Sequence, residues 1–237
     1  MKQTAHYLLR KCTFFGILGF IILLVVGVGT VAYVYASSTS EVNQEITAGT
    51  LTTDIRSDST TPVASPYVGM STKTFSYTCL SGGSASTGTF GSSTERIYID
   101  NPDAADNGWT LTVSTSSTAY WASSASSTLT FDFNDTGGSG CTDGGDGDSI
   151  AGQMTVDPSG GSITADCGSC GTGNLSLGSS TGFNEGATDT ITLLTAAADS
   201  DDIGRWYLTD VSVSQTIPAE QAATNYSFYM TVTITAS

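Results

Sequence analysis

Two different hydrophobic patterns run along this chain. From about Phe14 to Tyr35 it is apolar without interruption, apart from glycines and Thr30. Beyond Ser37 the apolar residues instead recur at every second position in short runs separated by Gly, Asn, Asp and Pro. Alternation of that kind, with β-branched and aromatic residues, predicts half-buried strands. Thr74–Cys79 places Phe75, Tyr77 and Cys79 on one face, and Arg96–Asp100 places Ile97 and Ile99 on one face. In Trp109–Ser114, Trp109, Leu111 and Val113 face inward while Thr110 and Thr112 face outward. Leu129, Phe131 and Phe133 alternate with Thr130 and Asp132. Further runs are Ile46–Ile55, Ile191–Leu194 and Trp206–Gln215, the last with Leu208, Val211 and Val213 inward. The strongest is Tyr226–Thr235, with Tyr226, Phe228, Met230, Val232 and Ile234 on one face.

One apolar and one Thr-rich face per run predicts antiparallel sheets with one side in water. The fold class expected is therefore all-β, an antiparallel β-sandwich or jelly roll, preceded by one apolar helix. Residues 37–237 read as a single domain, with 37–45 and 56–72 as linkers. Residues 135–186 are Gly-rich and hold three of the cysteines, so they read as an insertion pinned by a disulfide.

The first 36 residues form a separate unit. Lys2, Arg10 and Lys11 precede the apolar run, which ends at Val34-Tyr35-Ala36. Basic, apolar and small-residue regions in that order make a secretory signal with a cut after Ala36. The run is also long enough to span a bilayer, with residues 13–35 as a retained anchor. Both readings stay open, and both place residues 37–237 outside the cytoplasm.

Charge narrows the partners. All 22 acidic residues follow position 36, against Arg56, Lys73, Arg96 and Arg205. So acidic a surface repels nucleic acid, which needs a basic stripe, and attracts cations. The cysteines fit the same compartment. Beyond Cys12 of the leader there are Cys79, Cys141, Cys167 and Cys170, an even number with three connectivities open. Cys167-Gly-Ser-Cys170 reads as a structural bridge, because loop glycines flank it instead of a helix.

Catalysis has little to work with. The single histidine, His6, lies in the leader. Ser-His-Asp and Cys-His nucleophiles and most catalytic zinc sites need an imidazole, so the chain reads as non-catalytic. Asp132, Asn134, Asp135, Asp143, Asp146 and Asp148 offer closely spaced oxygen ligands among glycines, a pattern that suits calcium. The competing reading is a solvated loop whose Asp side chains bond their own backbone.

Two tryptophan motifs remain. Asn101-Pro102 precedes Gly108-Trp109-Thr110-Leu111-Thr112-Val113, and Gly204-Arg205-Trp206-Tyr207-Leu208 comes later. Ile217-Pro218-Ala219-Glu220 and the final alternating run close the chain. Over residues of about 90–237 this resembles the WxL-domain family of bacterial surface proteins. The resemblance implies a β-rich domain attached noncovalently to the cell wall, with peptidoglycan as ligand. The second Trp-x-Leu lies one strand earlier than in that family. In this reading Trp109, Leu111, Trp121, Trp206 and Leu208 are the candidate wall-binding or self-association residues, with Trp121, Tyr120 or Trp206 stacking on sugar rings, while the simpler reading of both motifs is core packing.

Near the other end, Val42-Asn-Gln-Glu-Ile46-Thr-Ala-Gly-Thr-Leu51 is similar to the start of mature TasA/camelysin-like biofilm-fibre proteins. That resemblance implies a jelly-roll subunit that polymerises when the N-terminal strand of one copy completes the sheet of the next. Ile46–Leu51 would then be the self-association segment. The simpler expectation is that it forms the first strand of its own sandwich. The two functions expected are a surface structural subunit and a wall-binding module.

Overall fold

In a computed structural model of the chain, the described residues are 43–45, 47–102, 107–116, 119–144, 148–188, 190–198 and 203–237. The leader, Ile46 and Asp146 lie outside them. The domain that begins at Ile46 is all-β and antiparallel. In chain order its strands are β1 (Thr52–Arg56), β2 (Ser86–Phe90), β3 (Arg96–Asn101), β4 (Trp109–Ser114) and β5 (Trp121–Ser123). There follow β6 (Thr130–Phe131), β7 (Met154–Asp157), β8 (Ser162–Ala165), β9 (Leu175–Leu177) and β10 (Thr181–Gly182). The last five are β11 (Thr190–Ala196), β12 (Gly204–Thr209), β13 (Val211–Gln215), β14 (Tyr226–Ser227) and β15 (Thr231–Ala236).

They form four sheets, ordered β1-β3-β12-β8, β10-β7-β13-β2, β15-β4-β11-β9 and β14-β5-β6. The arrangement is sandwich-like, and its centre is explained by alternation. In β4, Trp109, Leu111 and Val113 are fully buried, and in β12, Trp206 and Leu208 are. The indoles of Trp109 and Trp206 meet with ring centroids 5.8 Å apart, joining the first sheet to the third. Cross-strand partners extend the same face, with Trp206 opposite Ile99 and Leu208 opposite Ile97. On the opposite face of that sheet lie Arg56, Arg96 and Arg205, three of the four basic residues beyond the leader. The Arg56 and Arg96 guanidiniums lie 5.5 and 4.7 Å from the ring centroids of Tyr98 and Tyr207.

Several expected elements are rearranged. Thr74–Cys79 is not a strand, and Phe75 and Tyr77 are exposed. Its neighbours make the sheet contacts instead: Ser71 N–H donates to Thr87 O at 2.7 Å, and Leu80 pairs with Ile217. The run Trp206–Gln215 is two strands broken at Asp210, whose φ of 63° turns the chain. Asp tolerates that left-handed region better than most residues. Tyr226–Thr235 also divides, because β14 pairs with β5 while β15 pairs with β4. A register shift in β11 between Thr192 and Leu194 buries both Leu193 and Leu194.

The largest revision concerns residues 135–186. They are no excursion from the sheets: β7, β8, β9 and β10 lie there and pair with β13, β12, β11 and each other. The expected linker 56–72 is docked too, with Val63 N–H donating to Ile55 O at 2.9 Å. Val68 and Met70 pack against the core.

Candidate functional site

The tryptophans proposed to stack on sugar are part of the interior. Trp206 is fully buried and donates its indole N–H to Gly171 O at 2.8 Å. Trp121 is 9% exposed, donates to Gln215 Oε1 at 2.9 Å and stacks on Phe131. A buried indole with a satisfied N–H is a packing element. Only Tyr120 of the proposed stacking aromatics is exposed.

The acidic residues divide in a way that spacing alone did not predict. Asp132, Asn134 and Asp135 are buried, whereas Asp143 and Asp148 are exposed. Among the described residues no group of three or more His, Cys, Asp or Glu is arranged to hold a metal ion. The Asp132 backbone is tightly packed, its N–H donating to Ala151 O at 2.8 Å and a Cβ on Gly152 running into its carbonyl oxygen. Its Oδ1 accepts Phe133 N–H at 2.6 Å. With the Asn134 amide nitrogen turned toward it, Asn134 donates to both carboxylate oxygens at 2.8 and 3.1 Å. Asp135 accepts Gly144 N–H at 2.8 Å. Burial, helped by the charges of Asp135 and Asp148, pushes the Asp132 carboxyl up to about 7.

That shift has a sign that can be tested. Between the ordinary carboxylate range, about 4, and about 7, the folded chain holds a proton on Asp132 that the unfolded chain has lost. Stability from this group therefore falls as pH rises through that window and levels off above it. Asp132→Asn is expected to flatten the slope and to raise the melting temperature at pH 8. Parallel thermal melts of both proteins from pH 4 to 8 measure it; superimposable slopes would show that Asp132 does not titrate there.

A different feature brings sheet edges together. Among the described residues β3 is the only strand paired with β1 and β4 the only one paired with β15, so each is an edge strand, and the Ile55–Arg56 end of β1 is covered by Pro62 and Val63. Between them opens a groove of about 620 Å³, lined by Ile55, Val68, Met70, Phe90, Trp121, Met154, Val213, Phe228, Met230 and Val232. Tyr67 and Tyr229, 75% and 90% exposed, line it as well. Apolar side chains predominate in its walls, Thr53, Asp54, Glu95, Ser227 and Thr231 line it too, and strand edges border it. An apolar slot of this kind accepts an extended peptide, whose main chain pairs with an edge and whose alternate side chains fill the slot.

The segment proposed for self-association is only partly accounted for. Gly49 N–H donates to Pro102 O at 3.1 Å, and Leu51 packs against the core. The strand of this region is β1, which starts at Thr52, so Leu51 serves its own domain. Sequence reasoning missed the groove. The signal available was Tyr67, Val68 and Met70 in a stretch read as linker.

The cysteines form two bridges, Cys79–Cys141 and Cys167–Cys170, 62 and 3 residues apart in sequence. Two disulfides are what an oxidising compartment permits. No protein-family model, curated protein or solved structure matches the chain.

Proposed function

We propose that this chain is an exported, non-catalytic structural subunit of the bacterial cell surface, assembled into fibres by strand addition. The groove between the edge strands β1 and β15 carries the reading. The incoming strand is the segment that follows the leader in a second copy, Ser37–Ala48. Val42, Gln44, Ile46 and Ala48 fall on one face of an extended chain there, three of the four apolar, so this face would enter the groove. Cleavage after Ala36 frees that segment, which makes the fate of the leader part of the mechanism. The jelly-roll form and the TasA/camelysin-like resemblance belong to the same reading, as does placement outside the cell.

In the wall-binding alternative of the WxL kind, Trp121 and Trp206 lie in the interior, which leaves Tyr120 as the exposed aromatic to stack on sugar. Electron microscopy separates the two. Protein beginning at Ser37 is expected to form filaments, and protein beginning at Gly49 is expected to stay monomeric while keeping the same melting temperature. Filaments from the shortened protein, or none from the longer one at high concentration, would refute strand addition. Sedimentation with peptidoglycan without filaments would favour the alternative.

A further inference from the structure

The two disulfides differ in ways that matter to thiol chemistry. Cys79–Cys141 closes a long loop, and both of its cysteines are half-buried. Cys167–Cys170 closes a four-residue turn in which Cys167, Gly168 and Ser169 are exposed. A bridge across so short a loop gains little from restricting the unfolded chain, and exposed bridges are the labile ones.

The two sulfurs of the short bridge are also unlike each other. Cys167 faces solvent, while Cys170 is half-buried and packed against the core. Cys170 Sγ accepts the backbone N–H of Arg205 at 3.3 Å. It also fills the space beside Gly204, where a Cβ would collide with it. The seat survives exchange because it is built from β12 backbone. Asp166 is bonded to the same strand, its N–H donating to Arg205 O at 2.8 Å. Trp206 anchors the far side of the turn through Gly171 O.

We propose that Cys167–Cys170 is a thiol-exchange site that takes low-molecular-weight thiols, cationic or neutral in preference to anionic. The thiolate of the incoming molecule attacks Cys167 Sγ, on the exposed residue of the pair. The S–S electron pair leaves on Cys170 Sγ, which the Arg205 N–H receives as a thiolate. The products are a mixed disulfide on Cys167 and a free Cys170, with no other oxidant or reductant consumed. A donor N–H lowers the energy of a leaving thiolate, and a better leaving thiolate speeds exchange. The charge preference follows from the neighbourhood: Asp166 adjoins Cys167 on a strongly acidic chain, while Arg205 is paired with Asp100 at 3.4 Å and Arg96 lies over the Tyr207 ring, so the net field repels an anionic attacker.

The test uses the folded chain from Ser37, treated separately with cysteamine, 2-mercaptoethanol and 2-mercaptoethanesulfonate at equal thiolate concentration. Acid-quenched samples are digested and mapped by mass spectrometry, and circular dichroism follows the fold. The expected result is one adduct, on Cys167, with Cys170 free and Cys79–Cys141 intact. Rates should fall about tenfold or more from cysteamine to the sulfonate at low salt and converge in high salt, as screening requires. A Cys79→Ser/Cys141→Ser protein, if it folds, should give the same Cys167 adduct. Adducts on Cys170, equal reaction at both bridges, reaction only after unfolding, or rates indifferent to thiol charge would each overturn the proposal.

Discussion

Trp109→Ala is expected to lower the unfolding free energy by about 3–5 kcal/mol, the usual range for deleting a large buried aromatic. Trp109 has no exposed surface, and its ring meets that of Trp206 across the first and third sheets. Its backbone is held from both sides, because β4 pairs with β11 and β15. Neighbours fixed in two ladders cannot collapse into the space the indole leaves, so most of the cavity would persist. Urea unfolding followed by circular dichroism measures the loss. Tyr229→Ala serves as the comparison: at 90% exposed it should change stability by about 0.5 kcal/mol or less. Equal midpoints for the two variants would mean that the core is not built around the Trp109–Trp206 contact.

The second large effect concerns the long disulfide. Replacing Cys79 and Cys141 together by serine is expected to cost about 4 kcal/mol, since the bridge closes a loop of 62 residues in sequence separation. It fastens the end of the segment carrying Val68, Met70 and Phe75 to the turn that leads into β7. That segment lines the groove between β1 and β15, so its release should open the groove as well as lower stability. The matching Cys167→Ser/Cys170→Ser change should cost about 2 kcal/mol or less, because its loop is so short. Thermal melts under non-reducing conditions give the order; the reverse order would show that loop length does not govern these bridges.

Where alternation was strong, the chain could be read directly. β3, β4, β11 and β12 lie where Ile97, Trp109, Ile191 and Trp206 placed them, since a period of two buries one face whatever the partner. The short strands β5, β7, β8, β9 and β10 were not foreseen. Two to four residues carry too little alternation to stand out among Ser, Thr and Gly, and these strands exist because a neighbour supplies their hydrogen bonds. Thr74–Cys79 is the converse case. It has the alternation but no partner strand, so Phe75 and Tyr77 face water.

The candidate sites follow the same division. Their chemistry was visible in residue types: no histidine after His6, four cysteines after Cys12, and closely spaced aspartates. Spacing could not show that Asp132 is buried while Asp148 is exposed, or that Trp121 gives its N–H to Gln215. Those facts depend on residues distant in sequence.

By itself, then, the sequence determined the strand habit, the acidic balance and the absence of histidine after His6, all of which are local or compositional. Only the tertiary structure decided which strands are edges, that β1 and β15 border a mainly apolar groove, and which cysteine of Cys167–Cys170 is exposed. The reason is physical. Burial and edge exposure belong to pairs of strands brought together by folding, and no single run of residues carries the identity of its partner.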